Sequence, residues 1–364
     1  MSDPVVDPAL GERLLERTHA LVDVASESGQ ELAILETIRG LMPGGFEVVD
    51  DSDSVLFAVP DGRRDDRPLV VLAGHVDTVP PNGNLPCRRD GDAVVGRGAA
   101  DMKGALAVML ELQRAPASGD LDVGFLLFGR EELPISQSAL LPLFDRCLVA
   151  RTIDLAIVME PTDNAIEAGC LGNLNARITV RGEAAHTARP WLGRNAIHAA
   201  IEALRPIATA IPLDVEVDGM VFREVVSVTA IEGGIAGNVA PDRVEARVNL
   251  RYAPNRTPAE AEARLRELTA HPDLDVEVIA NAPPGPVAIT HPLVERLQRA
   301  GDLAVRPKQA WTPVAEFGMV GIDAVNFGPG DPQYAHRDDE RIDRGALVRS
   351  VEVLRAFFAA QEGR

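Results

Sequence analysis

A histidine and an aspartate two residues apart, His75 and Asp77, close an otherwise apolar stretch, VVLAGHVDTVP. On an extended strand, residues i and i+2 project to the same face, so this imidazole and carboxylate would lie side by side at the strand's carboxyl end. Open α/β sheets keep their sites at that edge. A lone His-x-Asp is as easily a satisfied polar pair, but other segments repeat the arrangement. Asp101 lies in GRGAADMKG between a glycine-rich turn and a helix start, Glu131 and Glu132 follow the apolar run LLF in LLFGREELP, and Glu160 ends AIVMEPT. His336 sits in the turn-rich loop GPGDPQYAHRDDER. Asp101 alone could be a helix cap, and Glu131 with Glu132 a solvated loop, although adjacent like charges repel unless a cation or water compensates. Their recurrence beyond apolar strands is the informative feature. Two histidines with carboxylates can hold a pair of divalent ions through a shared aspartate, and such nitrogen and oxygen donors suit zinc, with cobalt or manganese as substitutes. A two-metal centre clamps a substrate oxygen and can lower the pKa of bound water from about 15.7 to about 7. Hydrolysis is the chemistry implied.

The elements that must position these groups fall into two textures. A helix is expected from Asp7 (N-cap) and Pro8 to about Val24, and a second from Glu31 to Leu41. Apolar strands follow at Phe46–Val49, Val55–Val59, Leu69–Ala73, Val123–Phe128 and Leu155–Val158, with helical patterns near Met102–Gln113 and Gln137–Phe144. This is an α/β layered pattern, with a mixed, mostly parallel sheet flanked by helices. After Cys170 the strands alternate apolar and polar residues, as in NARITVRGEAAH, EVVSVTAIEGG and RVEARVNLRYA, around helical segments at Asn195–Ile207 and Pro258–Leu268. A proline-rich connector at Asn281–Pro292 leads back to the strand AVNFG and a closing helix from Arg344 to about Ala360. The expected organisation is a discontinuous domain, 1–172 and 285–364, interrupted by a smaller α+β domain at 173–284. No internal repeat is evident.

With 364 residues the chain exceeds one ordinary core, and 46% apolar residues can fill two. A net charge of −19 argues against nucleic acid or anionic membrane as partners. No basic segment followed by an apolar core opens the sequence, and no run of 18 apolar residues occurs, so a cytoplasmic protein is expected. Cys87, Cys147 and Cys170 are widely spaced and odd in number, which suggests neither a disulfide framework nor a thiolate zinc site.

Taken in order, GHVDTVP, GRGAADMKG, the Glu131–Glu132 pair, MEPT, RGEAAHTARPWLGRNAIH, GNVAPDRVEARVNLRY and NFGPG…AHRDDE resemble the two-zinc aminoacylase and carboxypeptidase family of amidohydrolases along almost the whole chain. The resemblance implies that His75 and Glu160 bind one zinc, Glu132 and His336 the other, and that Asp101 bridges them. It implies that Asp77 orients His75 through the second ring nitrogen. Glu131 matches the general base that takes a proton from the attacking water and passes it to the departing amine. His186 matches the residue that reaches from the partner subunit to stabilise the oxyanion, which makes the inserted domain a lid and dimer interface and the protein a homodimer.

The reaction implied foremost is hydrolysis of N-succinyl-LL-2,6-diaminopimelate to succinate and LL-2,6-diaminopimelate. Another N-acyl amino acid deacylase, acting for instance on acetylornithine, or a metallodipeptidase is the alternative within the family. Arg189, Asn238, Arg251 and Thr312 are the candidate substrate-binding residues, because carboxylate groups on a small anionic substrate need fork-shaped or amide donors. Departures from the family pattern gather at the specificity elements: Arg130 before the base, LPISQSALLP after the acidic pair, Pro313 in AWTPVAEF, and Cys170. A non-catalytic binding relative would have lost a ligand or Glu131, and none is missing. A nucleotide-binding reading of GRGAADMKG lacks both the GxGxxG spacing after a strand and the P-loop ending.

Overall fold

The computed structural model describes residues 9–64, 66–115 and 119–360. The chain divides into two compact units. One comprises Met1–Gly169, Ala288–Arg306 and Thr312–Arg364; the other comprises Cys170–Val287 and Pro307–Trp311.

An eight-stranded sheet organises the larger unit. Its order is Phe46–Ser52, Val55–Pro60, Asp122–Phe128, Leu69–His75, Leu155–Val158, Ala324–Asn326, Ile166–Ala168, Val305–Pro307. The four central strands, from Asp122–Phe128 to Ala324–Asn326, run parallel, and antiparallel pairings flank them. The sheet is mixed, and its central strands are buried on both faces, which explains why they read as continuous apolar runs. Val70, Leu72, Val123, Phe125 and Leu127 face a core built with the helices Leu10–Val22, Gly104–Gln113 and Arg344–Ala359. Their neighbours Leu69, Val71, Ala73, Leu126 and Phe128 face a second core with Leu140, Leu143, Phe144 and Phe317. Strand alternation thus serves two layers at once. The first helix starts at Leu10 with Ala9 at its N-cap; the expected cap, Asp7, and Pro8 lie outside the described residues.

The smaller unit carries a five-stranded antiparallel sheet in the order Leu213–Val217, Met220–Gly233, Arg243–Tyr252, Gly172–Arg181, Leu274–Ala282. Leu174, Ala176, Ile178 and Val180 join Val244, Ala246, Val248 and Leu250 beneath the helices Ala196–Ala208 and Pro258–Leu268. The intervening residues form the wet face. Thr257 and Glu260 close a reciprocal capping box at the start of the second of these helices.

One buried acid in the larger unit carries a testable consequence. Glu316, on the short helix Val314–Met319, is 2% exposed and accepts a hydrogen bond from the Ser138 hydroxyl. Burial outweighs that bond and pushes its pKa up to about 7 from 4.5. Between these values the folded chain binds more protons than the unfolded one, so this contribution to stability is whole below pH 4.5 and is lost as pH rises through about 7. Glu316→Gln keeps an acceptor for Ser138 and abolishes the charge. The variant should be more stable than the parent at pH 8 by about 1–3 kcal/mol, and the gap should close towards pH 5 in denaturant titrations. A gap independent of pH would place the titration elsewhere.

Candidate metal centre

Four parallel strands end on the same edge of the larger unit's sheet, and each delivers candidate ligands there. His75 is the last residue of Leu69–His75, Glu131 and Glu132 follow Phe128, Glu160 follows Val158 by two residues, and His336 lies in the loop after Ala324–Asn326. Asp101 enters from the kinked turn Ala99–Lys103 that opens the helix Gly104–Gln113.

Ligand atoms of His75, Asp101 and Glu160 lie within 4.8 Å of one another, as do those of Asp101, Glu132 and His336. Asp101 belongs to both groups and divides its oxygens: Oδ1 is 3.0 Å from His75 Nε2, and Oδ2 is 3.4 Å from His336 Nε2. His75 Nε2 lies 3.7 Å from Glu160 Oε1, and His336 Nε2 lies 2.8 Å from Glu132 Oε1. Zinc bonds of about 2.0–2.2 Å in a tetrahedron set ligand atoms about 3.2–3.6 Å apart, so each donor set fits a divalent ion with little adjustment.

Asp77 meets the second nitrogen of His75 with both backbone and side chain. The Nδ1 atom lies 3.0 Å from the Asp77 backbone oxygen and 3.6 Å from its carboxylate. That carboxylate also accepts the backbone N–H groups of Glu131 (3.1 Å) and Glu132 (3.2 Å) and the Ser28 hydroxyl (2.7 Å). It therefore fixes both the imidazole, through its backbone, and the acidic pair, through its side chain. Arg130 has a positive φ of 62° and reaches Asp53 at 2.9 Å.

A residue that the sequence reading passed over holds the Asp101 turn. Glu340, fully buried, accepts the N–H groups of Ala100 (3.2 Å) and Asp101 (3.1 Å) on one oxygen and the Arg97 guanidinium (2.9 Å) on the other. Nothing in HRDDER sets this acid apart from its four charged neighbours; only the fold buries it. Gly98 allows the turn by its φ of 82°, and a side chain at Gly330 would collide with the Ala100 carbonyl.

The electrostatics follow from crowding. Burial raises the Glu131 pKa well above the usual carboxylate range, and the neighbouring Glu160 and Glu132 charges add to it. Burial alone would lower the His75 pKa, yet Asp101 and Asp77 hold it well above normal. Asp101 and Glu132 push His336 up to about 10. Asp101 stays ionised despite burial, because His336 and His75 hold its pKa low.

The substrate candidates fall in separate places. In the smaller unit, His186 on the short strand Ala185–His186 pairs with Val239, and the Thr187 N–H donates to the Asn238 carbonyl at 3.1 Å. Arg189 N–H donates to the His186 carbonyl at 2.7 Å, so His186, Arg189 and Asn238 form one exposed cluster. Arg251 stands apart on Arg243–Tyr252, half-buried, with Nε 3.0 Å from Asn249 Oδ1. Cys170 is buried and accepts the Gly285 N–H at 3.2 Å. In the larger unit Thr312 is buried.

A mixed, two-face-buried sheet ending in a shared aspartate and two imidazoles marks a metallohydrolase scaffold. Residues 71–360 match the family model for Peptidase family M20/M25/M40, and the chain belongs to that family. A Mycobacterium tuberculosis protein with the provisional name succinyl-diaminopimelate desuccinylase is 38% identical, over 94% of this chain and 97% of its own length. The Corynebacterium glutamicum protein named succinyl-diaminopimelate desuccinylase is 35% identical, over 94% of this chain and 95% of its own. The fold is also that of the aminopeptidase PepT from Bacillus cereus, with a TM-score of 0.76 at 22% identity, covering 96% of this chain and 98% of that one. Among the described residues no helix is long and apolar enough to cross a membrane.

Neighbouring carboxylates raise the pKa of both candidate imidazoles, so a divalent ion bound by them would displace protons. Loading two ions per chain at pH 7 should release about two protons or more, seen as a buffer-dependent heat in calorimetry. Affinity should fall as pH drops. Release of none would mean that these imidazoles are already neutral before the ion binds.

Proposed function

We propose that the chain hydrolyses the amide of N-succinyl-LL-2,6-diaminopimelate, giving succinate and LL-2,6-diaminopimelate, as a cytoplasmic homodimer that uses two divalent cations, zinc foremost. The observation that carries the hydrolytic reading is Asp101, which turns one oxygen to His75 and the other to His336. The substrate reading is supported by the names of the relatives at 35–38% identity.

In this reading His75 and Glu160 hold one ion, Glu132 and His336 the second, and Asp101 both. The bound ions supply Lewis acidity at the amide carbonyl and acidify the attacking water. Glu131 accepts that water's proton as the new C–O bond forms and delivers it to the nitrogen as the C–N bond breaks. Its position is set by its own N–H on Asp77, which separates it from its ligand neighbour Glu132 while both stay on one rigid turn. A carboxylate whose proton affinity is raised by burial is the better base for this task. His186 donates to the developing oxyanion in the partner protomer's site. Arg189, Asn238, Arg251 and Thr312 contact the substrate. Arg251 is suited to a carboxylate, since burial depresses its pKa and an incoming anion restores what desolvation removes.

Glu131→Gln should lower kcat by about 10²–10⁴ while retaining both metals, and Glu132→Gln should lose one of them, read by metal analysis of the purified variants. The opposite pattern reverses the two roles. On substrate, Arg251→Lys preserves charge without the fork, so KM for the succinyl compound should rise more than kcat falls. Side-by-side kcat/KM values for succinyl-diaminopimelate, acetylornithine and neutral dipeptides decide the acyl group. An equal or better value for either of the latter moves the chain to the general deacylase or dipeptidase reading.

A further inference from the structure

Away from the paired centre, His19, Asp23 and Cys87 present an imidazole nitrogen, a carboxylate oxygen and a sulfur within 4.8 Å of one another. His19 and Asp23 stand four residues apart, on the last turn of the helix Leu10–Val22 and at its C-cap, so they share a face. His19 Nδ1 and Asp23 Oδ2 are 3.7 Å apart. The other Asp23 oxygen accepts the Cys87 N–H at 2.8 Å, which fastens the cysteine's backbone to the helix end. A side chain at Gly96 would collide with the Cys87 Cβ, so that glycine lets the loop pack closely. Cys87 is 8% exposed, His19 is half-buried and Asp23 is open to solvent, which gives an ion a route in.

We propose that these three side chains form a third divalent-metal site, selective for zinc-class ions and independent of the paired centre. Three protein donors with a fourth position left to water is the pattern of an exchangeable zinc site, and a sulfur donor disfavours magnesium and calcium. The thiol now donates to the His19 carbonyl at 3.4 Å. On binding, the S–H bond breaks, its proton leaves to solvent, and the sulfur lone pair forms the bond to the metal. Burial and the Asp23 carboxylate push the Cys87 thiol up to about 12, so its proton is costly to release, and the Lys103 ammonium, anchored on the Val24 carbonyl at 2.7 Å, offsets this only in part. The third site is therefore weaker than the paired one. This reading revises the sequence expectation that no thiolate takes part in metal binding.

The test is cobalt titration of the full chain, followed by absorbance. The paired centre's donors are nitrogen and oxygen alone, so a near-ultraviolet thiolate-to-cobalt charge-transfer band reports a cysteine ligand. The wild type should take up a third equivalent with that band. Cys87→Ser should lose both band and third equivalent, and His19→Ala should weaken the third step about tenfold or more while leaving the band at saturation. Basal hydrolysis should be unchanged in both variants. A third equivalent without the band, no third equivalent, or a band that survives Cys87→Ser overturns the proposal. Should Cys87→Ser fail to fold, His19→Ala decides: an unchanged third step refutes the site.

Discussion

Asp101 shares its two oxygens between two imidazoles, and much of the surrounding structure exists to keep it there. An aspartate in that position is pulled from both sides and must not follow either partner. Its backbone is tied to Glu340, whose second oxygen is neutralised by Arg97, so the turn is anchored by a buried charge pair rather than by a free carboxylate. Removing one member of such a pair is more damaging than never having had it, because an uncompensated buried charge remains. The glycines at 98 and 330 then follow from geometry, one allowing the turn and the other yielding space to the Ala100 carbonyl.

The same logic separates the surroundings of two adjacent glutamates. Nothing in the pair Glu131–Glu132 distinguishes one from the other by residue type. The distinction comes from the Asp77 carboxylate, which receives both N–H groups and fixes their directions, so that Glu132 meets His336 while Glu131 stays among Glu160, His75 and Asp77. A one-residue shift of this turn would put Arg130 or Leu133 in place of one of them. Arg130, immediately before it, is held on Asp53 and does not compete for the acids.

Most of this was legible, for a physical reason. Central parallel strands are buried on both faces, so they appear as unbroken apolar runs whose ends are conspicuous, and His75, Glu131, Glu132 and Glu160 all sit just beyond such ends. His336 stood out by its chemistry alone, since nine residues separate it from Asn326. Glu340 was missed because burial of an acid has no local signature. The edge strands of the smaller sheet were missed for a different reason. Both begin with the same pentapeptide, LDVEV, at Leu213–Val217 and Leu274–Val278, yet the sequence was read as free of repeats. Its strict alternation is a strand signal, and its acids suit an edge, where charge deters pairing with another chain.

Carboxylates gathered at one edge also bear on stability. Asp77, Asp101, Glu131, Glu132 and Glu160 repel one another in surroundings that favour neutral groups, and the chain meets this by protonating two imidazoles and raising one glutamate's pKa. A divalent ion reverses each of these adjustments, since it prefers neutral imidazoles and ionised acids. An ion held here would relieve this crowding of acids as well as forming new bonds. Folding stability and metal affinity are linked through the same few side chains. A substitution that removes one of these charges, such as an acid changed to its amide, therefore shifts both together.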